Sequence, residues 1–572
     1  MAFAVLACVL PTVVFAQVVA DPNAGARRPT VIQTANGLQQ VNIVAPSGAG
    51  VSTNAYSQLS VPHAGVILNN SSTIVQTQQA GYINGNPNFA PGQSARIIVN
   101  QVTGNLPSSL NGYLEVAGPK AQVILSNANG ILVDGGGFIN TSRATLTTGT
   151  PNFDAGGNVS GFTVTGGMIT VQGAGLNAAN VDQIDLIARA VTANAAIYAN
   201  NLNVVTGANQ VDYDTLVATP IAGTGAAPGV SIDVSQLGGM YANRIVLVGT
   251  EQGVGVSLRG VQAAQAGDLT LTTQGQLVLA GQTSATGNVS LSARDGITNS
   301  GTTYAAQSVT VSSGGTIANS GSLAAQQNAM VNGSTIASTG LLGAGVNADG
   351  SMAQSGDLTL GAVNSVSANG MNVAGGNASV QGASASLSGS QTSTNGNLTV
   401  AASAGNLDLT GATTRTGGVL NASAQGTLIN DRASTSAQGP ISITAGAVSN
   451  QAGQVVSLST TSVQSAGAIN NQQGAIQAAG AGRISGASID NTAGRIVSLN
   501  GDGLSISSTG ALTNAVGATG SGAQGGVIGA NGALQLSAGA LANHGQINAL
   551  GDVAVNALAF DNTSGTTTSG AR

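Results

Sequence analysis

Two histidines, His63 and His544, and one cysteine, Cys8, supply all the imidazole and thiol chemistry in 572 residues. A zinc site needs several His or Cys at short spacing, and these three residues are too far apart to form one. A Ser-His-Asp triad would set one histidine beside an exposed serine and a buried carboxylate. No serine is marked for that role in so Gly/Ser-rich a chain. The carboxylates are scattered singly, and the close acidic pairs are Asp182/Asp185 and Asp212/Asp214. Either pair could lend oxygens to a Ca²⁺ site, but solvated loop pairs are the expected reading. The best enzymatic alternative, a polysaccharide lyase, needs clustered acids for Ca²⁺ and a basic residue facing one groove. At 6% charged residues the chain is poor material for that. The residues therefore point to no enzyme, no cofactor and no metal.

The elements that would position any such chemistry are built from small side chains. The chain is 42% hydrophobic but 2% aromatic, with no Trp. Disorder goes with low hydrophobicity and high net charge, and neither holds here. With 84 Gly and 13 Pro, the chain stays below the roughly 25–30% Gly plus Pro of low-complexity sequences. The net charge of −6 is small and dispersed, which argues against nucleic acid as a partner.

Residues 1–16 form an apolar run ending Val14-Phe15-Ala16, the small −3/−1 pattern of a signal-peptidase site, with residue 20 as an outer bound. The run has no Lys or Arg before it, so the true start is expected upstream. The bland alternative is a buried first strand. Cys8 falls inside this segment, so the mature chain is expected to lack cysteine. That excludes a disulfide scaffold and suits a chain that crosses a second membrane unfolded.

The middle of the chain repeats. Leu269-Thr270-Leu271, Val289-Ser290-Leu291 and Val309-Thr310-Val311 stand 20 residues apart, and Ala329-Met330-Val331 continues the series. Apolar/polar alternation marks half-buried strands. Asn-x-x-Gly corners recur at Asn450–Gly453, Asn471–Gly474 and Asn491–Gly494. A fixed period with strand patterning means a solenoid. The leucines of a leucine-rich repeat are missing, and so are tandem Ca²⁺-binding nonapeptides. A parallel β-helix fits best: its narrow interior takes Ala, Val, Ile and Leu, and stacked Asn, Ser and Thr can bond one coil to the next. About 27 coils at ~4.8 Å would give a rod on the order of 130 Å.

Two short segments, Asn86-Pro87-Asn88-Phe89 and Asn127-Ala128-Asn129-Gly130-Ile131, are turn formers by composition. With Gly65-Val66-Ile67-Leu68-Asn69-Asn70, Gly137-Phe138-Ile139-Asn140-Thr141 and Asp185-Leu186-Ile187-Ala188-Arg189-Ala190, they resemble the secretion domain of filamentous-haemagglutinin-like exoproteins. The resemblance is densest from Thr30 to Asn209 and extends more loosely beyond residue 250. It implies an all-β, right-handed parallel β-helix with a capped N-terminus. The implied division is a signal peptide at 1–16, a secretion domain at 17–250 and haemagglutinin-type repeats at 251–572. It also implies a dedicated outer-membrane β-barrel transporter with periplasmic binding domains as partner. By analogy Asn86, Pro87, Asn88 and Phe89 form one recognised or fold-nucleating turn, and Asn127, Asn129, Gly130 and Ile131 a second. Ala128 replaces the family's usual Pro and Phe89 its common Leu. Val133 and Gly136 stand where many members carry a cysteine pair. The bland reading of both motifs is that they only brace corners of the solenoid.

Three roles remain open on the sequence. The leading one is an adhesin exported to the cell surface or medium, a rod suited to multivalent contact with a glycan or protein of a host or neighbouring cell. The second is the delivery stalk of a contact-dependent growth-inhibition toxin, with this chain a truncated product or fragment. The third is the lyase, whose activity chelation of Ca²⁺ would abolish.

Overall fold

The computed structural model describes residues 17–520 and 522–570. The expected signal peptide and Cys8 lie outside them. The chain forms the expected parallel β-helix, in two compact units, one reaching to Glu251 and the other beginning at Gln252.

In the second unit a coil consists of three short strands. Leu269–Thr273, Gln276–Leu279 and Gln282–Ala285 are followed by Val289–Ala293, Gly296–Asn299 and Thr302–Ala305. Equivalent strands pair in parallel and in register: Leu269 with Val289, Leu277 with Ile297, Thr283 with Thr303. Alternation puts every second side chain inside, so Leu269, Leu271, Leu277, Leu291, Val309 and Val311 are buried. An interior this narrow has no room for an indole, which explains the composition.

One corner of this unit is held by polar groups. Asn430, Asn450, Asn471, Asn491, Asn514 and Asn543 are all buried. Each Nδ2 donates to the Oδ1 of the next asparagine, ending on Asn562, at 2.7–2.8 Å. The second amide hydrogen goes to a backbone carbonyl, for example Asn471 Nδ2 to Arg495 O at 3.2 Å. Both donors and the acceptor are thereby satisfied, which removes the cost of burying an amide. Rungs fall 19 to 29 residues apart in sequence. The expected Asn-x-x-Gly corners lie on this ladder. Residues Ala452, Gln473 and Ala493 take φ of 53–57°, and the following glycine passes close under the previous coil. A Cβ on Gly474 would sit 2.0 Å from Asn450 O. Gly474→Ala is therefore expected to lower stability by about 1–3 kcal/mol. Hydrogen exchange at the amides of that coil checks it, because each coil of a solenoid reports its own interfaces.

The turns number about 22, fewer than the 27 expected from a uniform period. Insertions account for the difference. In the second unit the antiparallel hairpin Val516–Thr519/Gly522–Gly525 interrupts one coil. In the first, Leu114 pairs with Val66 across an intervening hairpin, and Ile169 pairs with Ile131 across two strands that leave the coil.

Those two strands, Thr150–Phe153 and Val159–Val164, join Asn209–Asp212 and Ala218–Pro220 in a four-stranded antiparallel flap. It covers an apolar outer face of the first unit. Val159, Phe162, Val164, Val211 and Tyr213 from the flap meet Val51, Ile97, Val99, Ile124, Ile187 and Val205 from the coils. At the N-terminal end, Val18–Ala20 runs antiparallel to the strand Val51–Leu59, and Thr30–Gln33 antiparallel to Gln39–Asn42. These antiparallel strands close the first coil, whose parallel edge would otherwise be bare.

Candidate functional site: two asparagine corners

Both Asn-x-Asn segments in the first unit are built alike, at different corners. Asn86 leaves the strand Gly81–Ile83 and turns its side chain inward to 2% exposure. Its Nδ2 donates to Ile43 O and Asn69 O, both at 2.9 Å, and its Oδ1 accepts the Asn88 N–H at 3.0 Å. The amide thus replaces strand rungs where the backbone turns away, and closes an Asx turn over Pro87. Pro87 and Asn88 are exposed and Phe89 is half-buried. Asn88 Nδ2 still reaches back to Asn42 O and Ile43 O, at 3.2 and 3.1 Å.

Asn127 repeats the arrangement after the strand Ala121–Ser126. It is fully buried, with Nδ2 on Leu106 O at 3.0 Å and Ser108 Oγ at 2.9 Å, and its Oδ1 accepts the Asn129 N–H at 2.9 Å. Asn129 is exposed and donates to Gly104 O at 2.8 Å. Gly130 has φ 111°, a conformation L side chains avoid, and Ile131 enters the core opposite Ile169 and Ser108. Val133 is buried and Gly136 lies against Leu110, so aliphatic contacts occupy the positions where the resemblance places cysteines.

One of the two close acidic pairs departs from expectation, while Asp212 and Asp214 are the exposed turn residues expected. Asp182 is exposed and 3.5 Å from Lys120, but Asp185 is no solvated loop residue. Its carboxylate is fully buried and accepts from Arg143 Nε at 2.6 Å, Thr145 Oγ1 at 3.2 Å, Gln183 Nε2 at 2.9 Å and Asn203 Nδ2 at 2.8 Å. Arg143 lies 4.0 Å from the Tyr213 ring centroid and donates to Tyr213 O. Burial pushes the Tyr213 hydroxyl up to about 12. The flap accounts for the difference, since it covers an outward position that alternation alone leaves in water. Asp212 caps a turn instead: hydrogen bonds from the Thr215 backbone and hydroxyl hold its carboxyl below the usual range. Among the described residues no three His, Cys, Asp or Glu side chains lie close enough to share a metal ion. Glu115, which sequence reasoning passed over, is 3% exposed and accepts the backbone N–H groups of Gln78 and Gln79 at 2.6 and 2.9 Å. A lone carboxylate in the apolar run Leu114-Glu115-Val116-Ala117 was the available signal.

Fold and corners together define a capped parallel β-solenoid whose first unit carries the special elements and whose second is repetitive. Residues 16–279 match the TPS secretion domain, and haemagglutinin repeats match 284–344, 342–402, 400–446, 436–516 and 518–572. The chain belongs to the filamentous-haemagglutinin-like family of two-partner-secretion exoproteins, which are exported to the cell surface. It is 53% identical over 585 residues to the tRNA nuclease CdiA-2 of Burkholderia pseudomallei (strain 1026b), covering 99% of this chain and 19% of that protein. It is 50% identical over 272 residues to the toxin CdiA of Yersinia pestis, covering 47% of this chain and 8% of that one. The solved filamentous hemagglutinin secretion domain is 33% identical, with a TM-score of 0.43, over 50% of this chain and 95% of that domain. The chain thus spans a fifth or less of the length of these curated relatives.

Proposed function

We propose that this chain is the export and presentation segment of a contact-dependent toxin. A dedicated outer-membrane β-barrel transporter with periplasmic binding domains recognises its first unit, and its repeats form a stalk. Asn86, Pro87, Asn88 and Phe89, with Asn127, Asn129, Gly130 and Ile131, serve export by fixing two corners on which further coils assemble. Each coil then offers the next a strand edge, so folding outside the cell draws the chain outward. The observation that carries the reading is the match along 99% of this chain to a nuclease toxin of which it covers only 19%. The nuclease named for that relative is assigned here to its unmatched remainder.

A chimera tests this. Substituting this chain for the matched segment of the Burkholderia protein is expected to preserve both export and inhibition of neighbouring cells. Loss of export refutes the transporter role, and export without inhibition refutes the presenting role. Adhesion to a glycan or protein on a host or neighbouring cell is the second reading, favoured by the haemagglutinin repeats at 284–572. It predicts saturable binding of the whole purified chain to cells that need not be targets of inhibition.

A further inference from the structure

The four-stranded flap of the first unit is fastened differently from the coils beneath it. Its strands hydrogen-bond to one another, and among the described residues none pairs with a strand of the solenoid. Side chains hold it down instead. Phe162 and Tyr213 meet edge to face, with ring centroids 5.8 Å apart, and pack with Val211 on Val51, Ile97 and Ile124. Polar ties reach three successive coils. Arg96 Nη2 donates to Asn158 Oδ1 at 2.6 Å, Tyr213 Oη to Gln122 Oε1 at 2.7 Å, and Arg143 Nη2 to Tyr213 O at 2.6 Å. The buried Arg143–Asp185 pair lies under the same cover.

The coils are complete without the flap. Its two halves are insertions, and the coil register runs across each: Ile131 pairs with Ile169 on either side of the first, and Val191 with Ile232 on either side of the second. The solenoid interior is filled independently, since the buried Ile98 and Val123 alternate with Ile97, Val99 and Ile124, which face the flap. The flap, by contrast, needs the coils. The face it covers is assembled from strands 51–59, 97–102 and 121–126 stacked in register. Its central pairing, Val164 with Asn209 and Gly161 with Asp212, joins halves separated by the coil strands of residues 168–206. In the unfolded chain Val51 and Val211 stand about 160 residues apart, and closing so long a loop costs entropy. Stacking of the coils brings the two ends together before the flap is laid down.

We propose that the flap is a clasp: it closes last, over a solenoid already assembled, and locks the first unit against unfolding. Contacts absent from the folding transition state slow unfolding and leave the folding rate almost unchanged. Until the clasp closes, an apolar sheet face lies open to water. Reopening it exposes that face and the Arg143–Asp185 pair together. In an exported chain such a lock keeps emerged coils from unravelling. The lock itself does not depend on the transporter reading.

Pulse-labelled hydrogen exchange during refolding of the unfolded full chain, with no transporter present, tests the order. Amides of strands 97–102 and 121–126 are expected to gain protection first, and those of 159–164 and 209–212 at least about threefold later. The fluorescence of 8-anilinonaphthalene sulfonate should rise with the first group and fall with the second. Phe162→Ala is expected to speed unfolding, read at strands 97–102, at least about tenfold and to change their refolding rate less than about twofold. Val211→Ala, a smaller cut, should speed unfolding about threefold or more with refolding equally unaffected. Val123→Ala, inside the solenoid, should slow coil refolding instead. Protection of the flap with or before the coils overturns the clasp. So does a Phe162→Ala or Val211→Ala chain that unfolds at the wild-type rate, or whose coils refold more slowly by the factor that their unfolding gains. Failure of the export reading leaves these results untouched, and their failure leaves that reading standing.

Discussion

Asn86→Ala is expected to leave most of the chain in the periplasm, while Asn88→Ala keeps most of its export. The two residues sit in one short turn, yet only Asn86 is buried. Its loss leaves Asn69 O and the Asn88 N–H without their side-chain partner and takes one of two side-chain donors from Ile43 O. At about 1–3 kcal/mol for a buried unpaired group and about 1 kcal/mol for a lost hydrogen bond elsewhere, the first corner loses about 2–5 kcal/mol, enough to keep it from forming. Asn88 makes its two bonds from an exposed position, where water replaces them. Comparing secreted with periplasmic protein for each variant is the measurement. Equal export by Asn86→Ala and wild type would reduce this corner to an ordinary turn brace.

Asp185→Ala is expected to cost about 3–5 kcal/mol, because it leaves the Arg143 guanidinium beneath the flap without its carboxylate. Asp182→Ala, only three residues away, should shift nothing measurable, since its partner Lys120 is solvated. Denaturant unfolding of the two variants side by side decides the matter. The loss should be local: exchange should accelerate in the flap strands 150–164 and 209–220 and leave the asparagine ladder of the second unit unchanged.

The second unit was legible because its coils follow one another without interruption from Leu269 to Val331. A constant step lets alternation and period reinforce each other. The first unit hid its plan. Strands 159–164 and 209–212 alternate just as coil strands do, and alternation says that one face is buried without saying against what. The flap strands meet coil strands far away in sequence, such as those of Val51 and Ile97. The same blindness misplaced Asp185, whose burial depends on that flap. The corners were legible as turns from Asn, Pro and Gly. Which asparagine points inward was not, because Asn86 and Asn88 are the same residue type and differ only in where the turn aims them.

The asparagine ladder of the second unit has a consequence for how such chains diverge. Successive rungs are separated by 19 to 29 residues, yet the amide-to-amide distance stays at 2.7–2.8 Å throughout. Length variation is absorbed even at the ladder's own corner: the hairpin Val516–Gly525 is inserted directly after Asn514, and Gly526 still takes the place beside it that Gly494 has beside Asn491. Insertions and deletions can therefore accumulate between asparagines during descent, while loss of a single asparagine breaks the register of two coils. Repeats in related chains should be aligned on that residue, and a ruler of constant length will drift out of step.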